Sequence, residues 1–153
     1  MYKRILVPLE HSPYDAAILE HVATLSRVCN ASLILIHVAD GWAARYFDDL
    51  KLRESEEMRG DRDYLDRVAA ELDADGLSVD AIFATGDPAR EIAAAAEREG
   101  CDLIAMSTHG HRFFSDLVYG SVAESVRHRS TIPVLMVRGT RAGGPSIPRG
   151  STR

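Results

Sequence analysis

Apolar positions along the chain fall into five short runs: residues 4–7, 33–38, 79–84, 102–106 and 132–137. Residues 33–38 are apolar throughout except for His37. Continuous apolar runs of this length, bounded by polar segments, suit strands covered on both faces. Between them the spacing changes to that of helices. Ile18, Val22, Leu25 and Cys29 share one helical face, and Leu65, Val68, Ala69 and Leu72 share another. Residues 90–99 are rich in strong helix formers, and residues 117–128 make a last helix. Its end carries Arg127, His128 and Arg129, where the helix dipole is negative. Punctuation agrees with this division. Ser12 is an expected N-cap, with Pro13 at the first helical position and Asp15 in the first turn. Asn30, Asp75-Gly76 and Gly100 are stops, and Gly86-Asp87-Pro88 is a turn and helix start.

Strands alternating with helices predict an open, three-layer α/β fold: a parallel sheet of five strands with right-handed crossovers and four main helices on both faces. In such sheets ligands sit beyond the carboxyl ends of the strands, which points to residues 8–11, 38–41, 85–87 and 107–114. Residues 40–60 carry Trp42, Tyr46 and Phe47 interrupted by Gly41 and Asp48-Asp49, and read as a loop or short helix. Helical composition resumes from Glu54, although Gly60 weakens the first turns. Residues 139–153, rich in Gly, Pro, Ser and Arg, are expected to be a disordered tail behind a domain spanning 1–138.

Composition narrows the function classes. With 153 residues, 46% apolar and 27% charged, the chain is an ordinary single domain. Its net charge is -5 and no Lys/Arg block exceeds two residues, which argues against a nucleic-acid partner. No apolar run approaches the ~20 residues that span a bilayer, and the N-terminus reads as a first strand, so no membrane partner and a cytoplasmic location are expected. Cys29 and Cys101 lack ligand spacing and read as reduced thiols. Glu54, Glu56, Glu57, Asp61, Asp63 and Asp66 alternate with arginines and read as a solvated helix face. His37 reads as a satisfied core histidine. His109 and His111 have no acidic or cysteine partner at ligand spacing, so no metal held by side chains alone is expected. No GxSxG is present, and no hydrolase triad is expected.

The most informative stretch is Met106-Ser107-Thr108-His109-Gly110-His111-Arg112, followed by Tyr119-Gly120-Ser121-Val122-Ala123. Glycines at a strand end and a helix start let backbone N–H groups converge on a phosphate, and Ser121 adds a hydroxyl. The pattern is not GxxxxGK[ST], and on spacing alone two glycines and a serine are more often simple loop and packing residues.

MYKRILVPLEHS, LILIHVAD, GDPAREI, CDLIAMSTHG and GSVAESVRHRSTIPVLMVR together resemble the universal stress protein family, in order and over residues 1–138. The resemblance implies strand order 3-2-1-4-5, a sheet of the adenine nucleotide alpha hydrolase-like type. It also implies ATP, with AMP or cyclic AMP as alternatives and Mg or Mn accompanying ATP. The family's nucleotide pattern is Gly, two residues, Gly, nine residues, Gly, then Ser or Thr. Here Gly110, Gly120 and Ser121 match, whereas Ser107 replaces the first glycine and Glu10 stands where nucleotide-binding members carry Asp. A serine there would be strained if the backbone needs positive φ. By resemblance Pro8, Glu10, Val38 and Met106 line the adenosine end, and Gly110, His111, Gly120, Ser121 and Val122 the phosphate end. The implied role is a nucleotide-binding stress-response or signalling protein, non-enzymatic or with slow ATP hydrolysis only. The alternative is a dimeric interaction module with an empty pocket. In that strand order the fifth strand is an apolar edge, and Val134, Leu135, Met136 and Val137 are expected to pair across a homodimer.

Overall fold

The computed structural model describes residues 1–39, 51–108 and 121–139. Five strands and four helices alternate: β1 (Arg4–Pro8), α1 (Asp15–Cys29), β2 (Ser32–Ala39), α2 (Lys51–Ala74), β3 (Val79–Thr85), α3 (Pro88–Arg98), β4 (Leu103–Ser107), α4 (Ser121–Arg129) and β5 (Val134–Val137). All neighbouring strands are parallel, in the order β3-β2-β1-β4-β5. The expected sheet is therefore the observed one.

The period of two along each strand divides the core in two. Ile5, Val7, Leu33, Leu35, Leu103 and Ala105 face α1 and α2, where Ile18, Val22, Leu65, Val68 and Leu72 meet them. Leu6, Ile34, Ile36, Ile104 and Met106 face α3 and α4, where Ile92, Ala96, Ala123 and Val126 meet them. The three central strands are buried on both sides, and β3 and β5 are the half-exposed edges. Asp102 fixes where β1 begins. Its carboxylate accepts from the backbone N–H groups of Lys3 at 2.8 Å and Arg4 at 3.0 Å.

Three element boundaries differ from the sequence expectation. Helix α1 starts at Asp15, after a turn closed by the Asp15 N–H donating to the Ser12 carbonyl at 3.1 Å. Ser12 is not its cap, and Pro13 lies in the turn. Tyr14 occupies the cap position without a side-chain bond, and Ser12 Oγ accepts instead from the Tyr14 N–H at 3.3 Å. The Asp15 carboxylate takes over the capping of nearby donors, as described below. Helix α2 begins by Lys51 and passes through Gly60 unbroken, where sequence suggested a loop or short helix. Each of Leu65, Val68 and Leu72 contributes about 1.5–3 kcal/mol by burial. That outweighs the ~1 kcal/mol helical penalty of one glycine. Strand β5 starts at Val134, because Pro133 has no N–H to give the ladder, although its carbonyl accepts from Ile104. The remaining stops behave as expected. Asn30 closes α1 in the left-handed region at φ 52°, and Asp87 Oδ1 caps α3 by accepting from the Arg90 N–H at 2.9 Å. Residues 40–50 and 140–153, with the expected aromatic loop and tail, and residues 117–120 of the last predicted helix lie outside the described residues.

Candidate functional site

The site follows from how two neighbouring strands hand over the chain. β1 lies beside β4, yet β1 leads into α1 on one face and α4, the helix following β4, packs on the other. The chain thus diverges to opposite sides at the carboxyl ends of adjacent strands, which leaves a crevice there. Pro8, Val38 and Met106 stand at the ends of β1, β2 and β4, each two positions beyond a residue of the α3/α4 face. Val38 and Met106 are buried and apolar, and Val122 packs against the same cluster from the first turn of α4. Ser121 opens that helix and is exposed. These residues stand at one end of the sheet and, Ser121 aside, on one face. Gly110, His111 and Gly120 lie outside the described residues.

Ser107 ends β4 with a backbone that is not left-handed; His11 and Asn30 are the non-glycine residues with positive φ among those described. The strain feared for a serine at this position is not incurred. Its Oγ lies against Gly139, at 2.9 Å from where a Cβ on that glycine would stand, and the Tyr14 Cβ lies at the same distance. Gly139 is therefore held in a gap too narrow for any side chain.

Glu10 follows β1. Its N–H donates to Asp15 Oδ1 at 3.1 Å, while its own Oε2 is buried without a hydrogen-bond partner among the described residues. Burial, and secondarily the Asp15 charge, raises the Glu10 carboxyl to about 7. A carboxyl so placed carries its proton at the acid side of neutrality and can present either a donor or an acceptor. Asp15 is itself buried, which raises its pKa, against the lowering effect of donors from the Glu10 backbone, Tyr64 and Ser12. Tyr64 Oη donates to Asp15 Oδ2 at 2.8 Å and the Ser12 N–H reaches the same oxygen at 3.2 Å. Burial, then the Asp15 charge, pushes the Tyr64 phenol up.

One residue of this region was misassigned from sequence. Asp61, read as part of a solvated acidic face, is 5% exposed. Its Oδ1 lies 2.6 Å from His11 Nδ1 and its Oδ2 3.2 Å from His37 Nε2. His37 is a core histidine, as expected, with Nδ1 bonded to the Leu9 carbonyl at 2.9 Å. It is not the satisfied one expected, because its buried Nε2 has no hydrogen-bond partner among the described residues. The signal for Asp61 was present in the helical stripe. Counting one turn back from Leu65, Val68 and Leu72 lands on position 61. Among the described residues no group of three His, Cys, Asp or Glu is placed to hold a metal ion, and no helix is long and apolar enough to cross a membrane.

An open parallel sheet with helices on both faces, in which neighbouring strands send the chain to opposite sides, defines a doubly wound α/β protein. Residues 1–138 match the universal stress protein family, and the chain belongs to that family. It is 31% identical to a universal stress protein of Methanocaldococcus jannaschii, over 90% of this chain and 96% of that one. The solved structure of the Methanocaldococcus protein superposes with a TM-score of 0.82 at 30% identity, covering 93% of this chain and 99% of that one. A family member from Burkholderia pseudomallei superposes at 0.70 with 26% identity, over 90% and 97% of the two chains. The fold is shared at 0.63 and 19% identity, over 90% and 98%, with an Archaeoglobus fulgidus universal stress protein solved in complex with dAMP.

Proposed function

We propose that this protein binds an adenine nucleotide, ATP or its monophosphate or cyclic relatives, in the crevice between β1 and β4, and acts as a stress-response or signalling component rather than a committed enzyme. The observation that carries the reading is Glu10. A buried carboxyl oxygen without a partner, beside an apolar floor of Pro8, Val38 and Met106, suits a flat heterocycle that offers both a π face and polar edge atoms. A distant relative of the same fold holds dAMP, which carries the same base. In this reading Ser121 and Val122 meet the phosphates together with Gly110, His111 and Gly120, and Mg or Mn would accompany ATP to neutralise their charge. Ser107 in this reading takes the first-glycine position, with its Oγ against Gly139. The chain has no Walker-type lysine, so any hydrolysis is slow.

Native mass spectrometry of the purified protein, followed by calorimetric titration with ATP, tests the reading. A nucleotide mass carried through purification, lost in Gly120→Val, is the expected outcome. A parent that takes up no adenine nucleotide would overturn it.

A homodimer through β5 belongs to the same proposal, because Met136 is 54% exposed on an edge strand. Met136→Lys leaves the core untouched and should halve the mass seen by light scattering. If the parent already runs as one chain, the dimer is absent. The runner-up role, an interaction module with an empty pocket, keeps the dimer and loses the nucleotide.

A further inference from the structure

The contacts of Asp61 contain more than a buried ion pair. His37 Nδ1 faces the Leu9 carbonyl, which only accepts, so this nitrogen carries a hydrogen. Nε2 on the same ring then faces Asp61 Oδ2 at 3.2 Å. A neutral ring would set a lone pair against a carboxylate. The contact is attractive only with a proton on that side as well. Its approach is too oblique for a full hydrogen bond, and the attraction is that of an ion pair, which does not depend on alignment. The other carboxylate oxygen holds His11 Nδ1 at 2.6 Å.

All of this bears on residues 9–12. Leu9 is bonded to His37, and His11 is bonded to Asp61 and stacked on Tyr64 with ring centroids 4.2 Å apart. His11 sits at φ 58°, a conformation disfavoured for a side chain with a Cβ, so something must hold it there. Glu10 lies between these two anchored residues.

We propose that Asp61 is a proton-dependent positioning residue: by bridging His11 and His37 it clamps residues 9–12 onto α2 and so sets where Glu10 stands in the crevice. The clamp holds while the His37–Asp61 pair keeps its proton, and loosens as pH rises and that proton leaves. The consequence for ligand binding rests on the nucleotide reading above; the clamp itself does not. Among the described residues, the titratable and charged groups around it are Glu10, His11 and Asp15 from the loop and α1, and Asp61, Arg62 and Tyr64 from α2. From β3 the neutral Phe83 packs on His37 at 5.7 Å, and the Arg62 guanidinium lies over the Phe83 ring at 4.5 Å.

Nitrogen-15 and ring-proton NMR of the full chain across roughly pH 5 to 8, where imidazoles change charge, reads the clamp directly. The backbone amides of Glu10, His11 and Ser12 should move in one transition shared with the His37 ring. In Asp61→Asn, whose amide can donate to a neutral His37, those amides should no longer follow the ring. Asp63→Asn, an exposed acid on the same helix, should behave as the parent. Titration of the parent and of Asp61→Asn with ATP over the same range gives the second readout. Any part due to Glu10 is common to both proteins, and affinity should fall about tenfold further with rising pH in the parent than in Asp61→Asn, a usual size for coupled equilibria. Loop amides that ignore the His37 transition in the parent, or follow it unchanged in Asp61→Asn, would overturn the clamp. A parent that binds no ATP would sink the nucleotide reading alone, because the amide shifts still decide the clamp.

Discussion

The two faces of this sheet are alike through most of their depth and differ completely at the carboxyl end. On the α3/α4 face β2 finishes with Val38 and β4, on the far side of β1, with Met106, both buried and apolar. One residue earlier on β2, His37 points to the opposite face and meets Asp61, with His11, Asp15 and Tyr64 close by. A strand alternates its side chains, so a single sequence step separates an apolar floor from a titratable cluster. The lesson is that the sheet keeps an apolar surface and a titratable cluster apart at the same end without any extra element. Each face can therefore be perturbed by itself.

The harshest break is Met106→Asp, which puts an unpaired carboxylate among Ile104, Ala123 and Val126. It should destabilise the fold by about 4 kcal/mol or more in urea unfolding. A loss below 1 kcal/mol would mean that this face is wetter than its burial indicates. On the other face Asp61→Ala strands two imidazoles and should cost about 3 kcal/mol, less for Asp61→Asn. Equal losses in the two variants would show that the side-chain volume matters and the bridge does not.

Glu10 sits at the seam between the faces and predicts a pH effect. Its folded pKa of about 7 lies above the ordinary 4.5, so the folded state binds the proton more tightly. Stability conferred by that proton is complete below pH 4.5 and is lost as pH rises to about 7. The total comes to at most about 3 kcal/mol at 1.36 kcal/mol per unit. Glu10→Gln should flatten this part of the stability–pH curve; a curve unchanged by the substitution would place the titration elsewhere. Smallest of all is Ser107→Gly. The backbone there is not left-handed, so glycine relieves no backbone strain and adds freedom to the unfolded chain. Thermal melts should show a loss of about 0.5–1 kcal/mol, and a gain would reveal strain at Ser107 after all.

Much of this architecture is legible in the sequence. The buried strands are continuous apolar runs, and Gly86-Asp87-Pro88 announces α3 because each residue has one local task there. Strand order came from resemblance, since alternation alone predicts a parallel sheet without ordering it. What escaped was set by tertiary contacts. Ser12 looks like a cap, but Asp15, three residues on, reaches back to the Glu10 and Ser12 N–H groups and draws the helix start with it. Asp61 lies in a run of charges whose composition predicts solvation. Its inward position follows from the helical phase of residues 65–72, which a charge count does not register. The strand-end rule pointed to residues 8–11 and 38–41 from sequence alone, whereas Pro8, Glu10, Val38 and Met106 as one lining came from resemblance.

The carboxylate of Asp102 bears on how the chain is made. It bonds to the backbone of Lys3 and Arg4, residues 99 and 98 positions earlier. Because β1 lies between β2 and β4, one of its edges finds a partner within about thirty residues and the other waits for the fourth strand. At ribosomal speeds of about 5–20 residues per second, that second edge stays open for on the order of 5 to 20 s. The nascent chain must carry β1, the central strand of the finished sheet, as an exposed apolar edge throughout that interval. Shielding it during synthesis, by chaperone or by the early β1–β2 pair, is a demand that the strand order places on the cell.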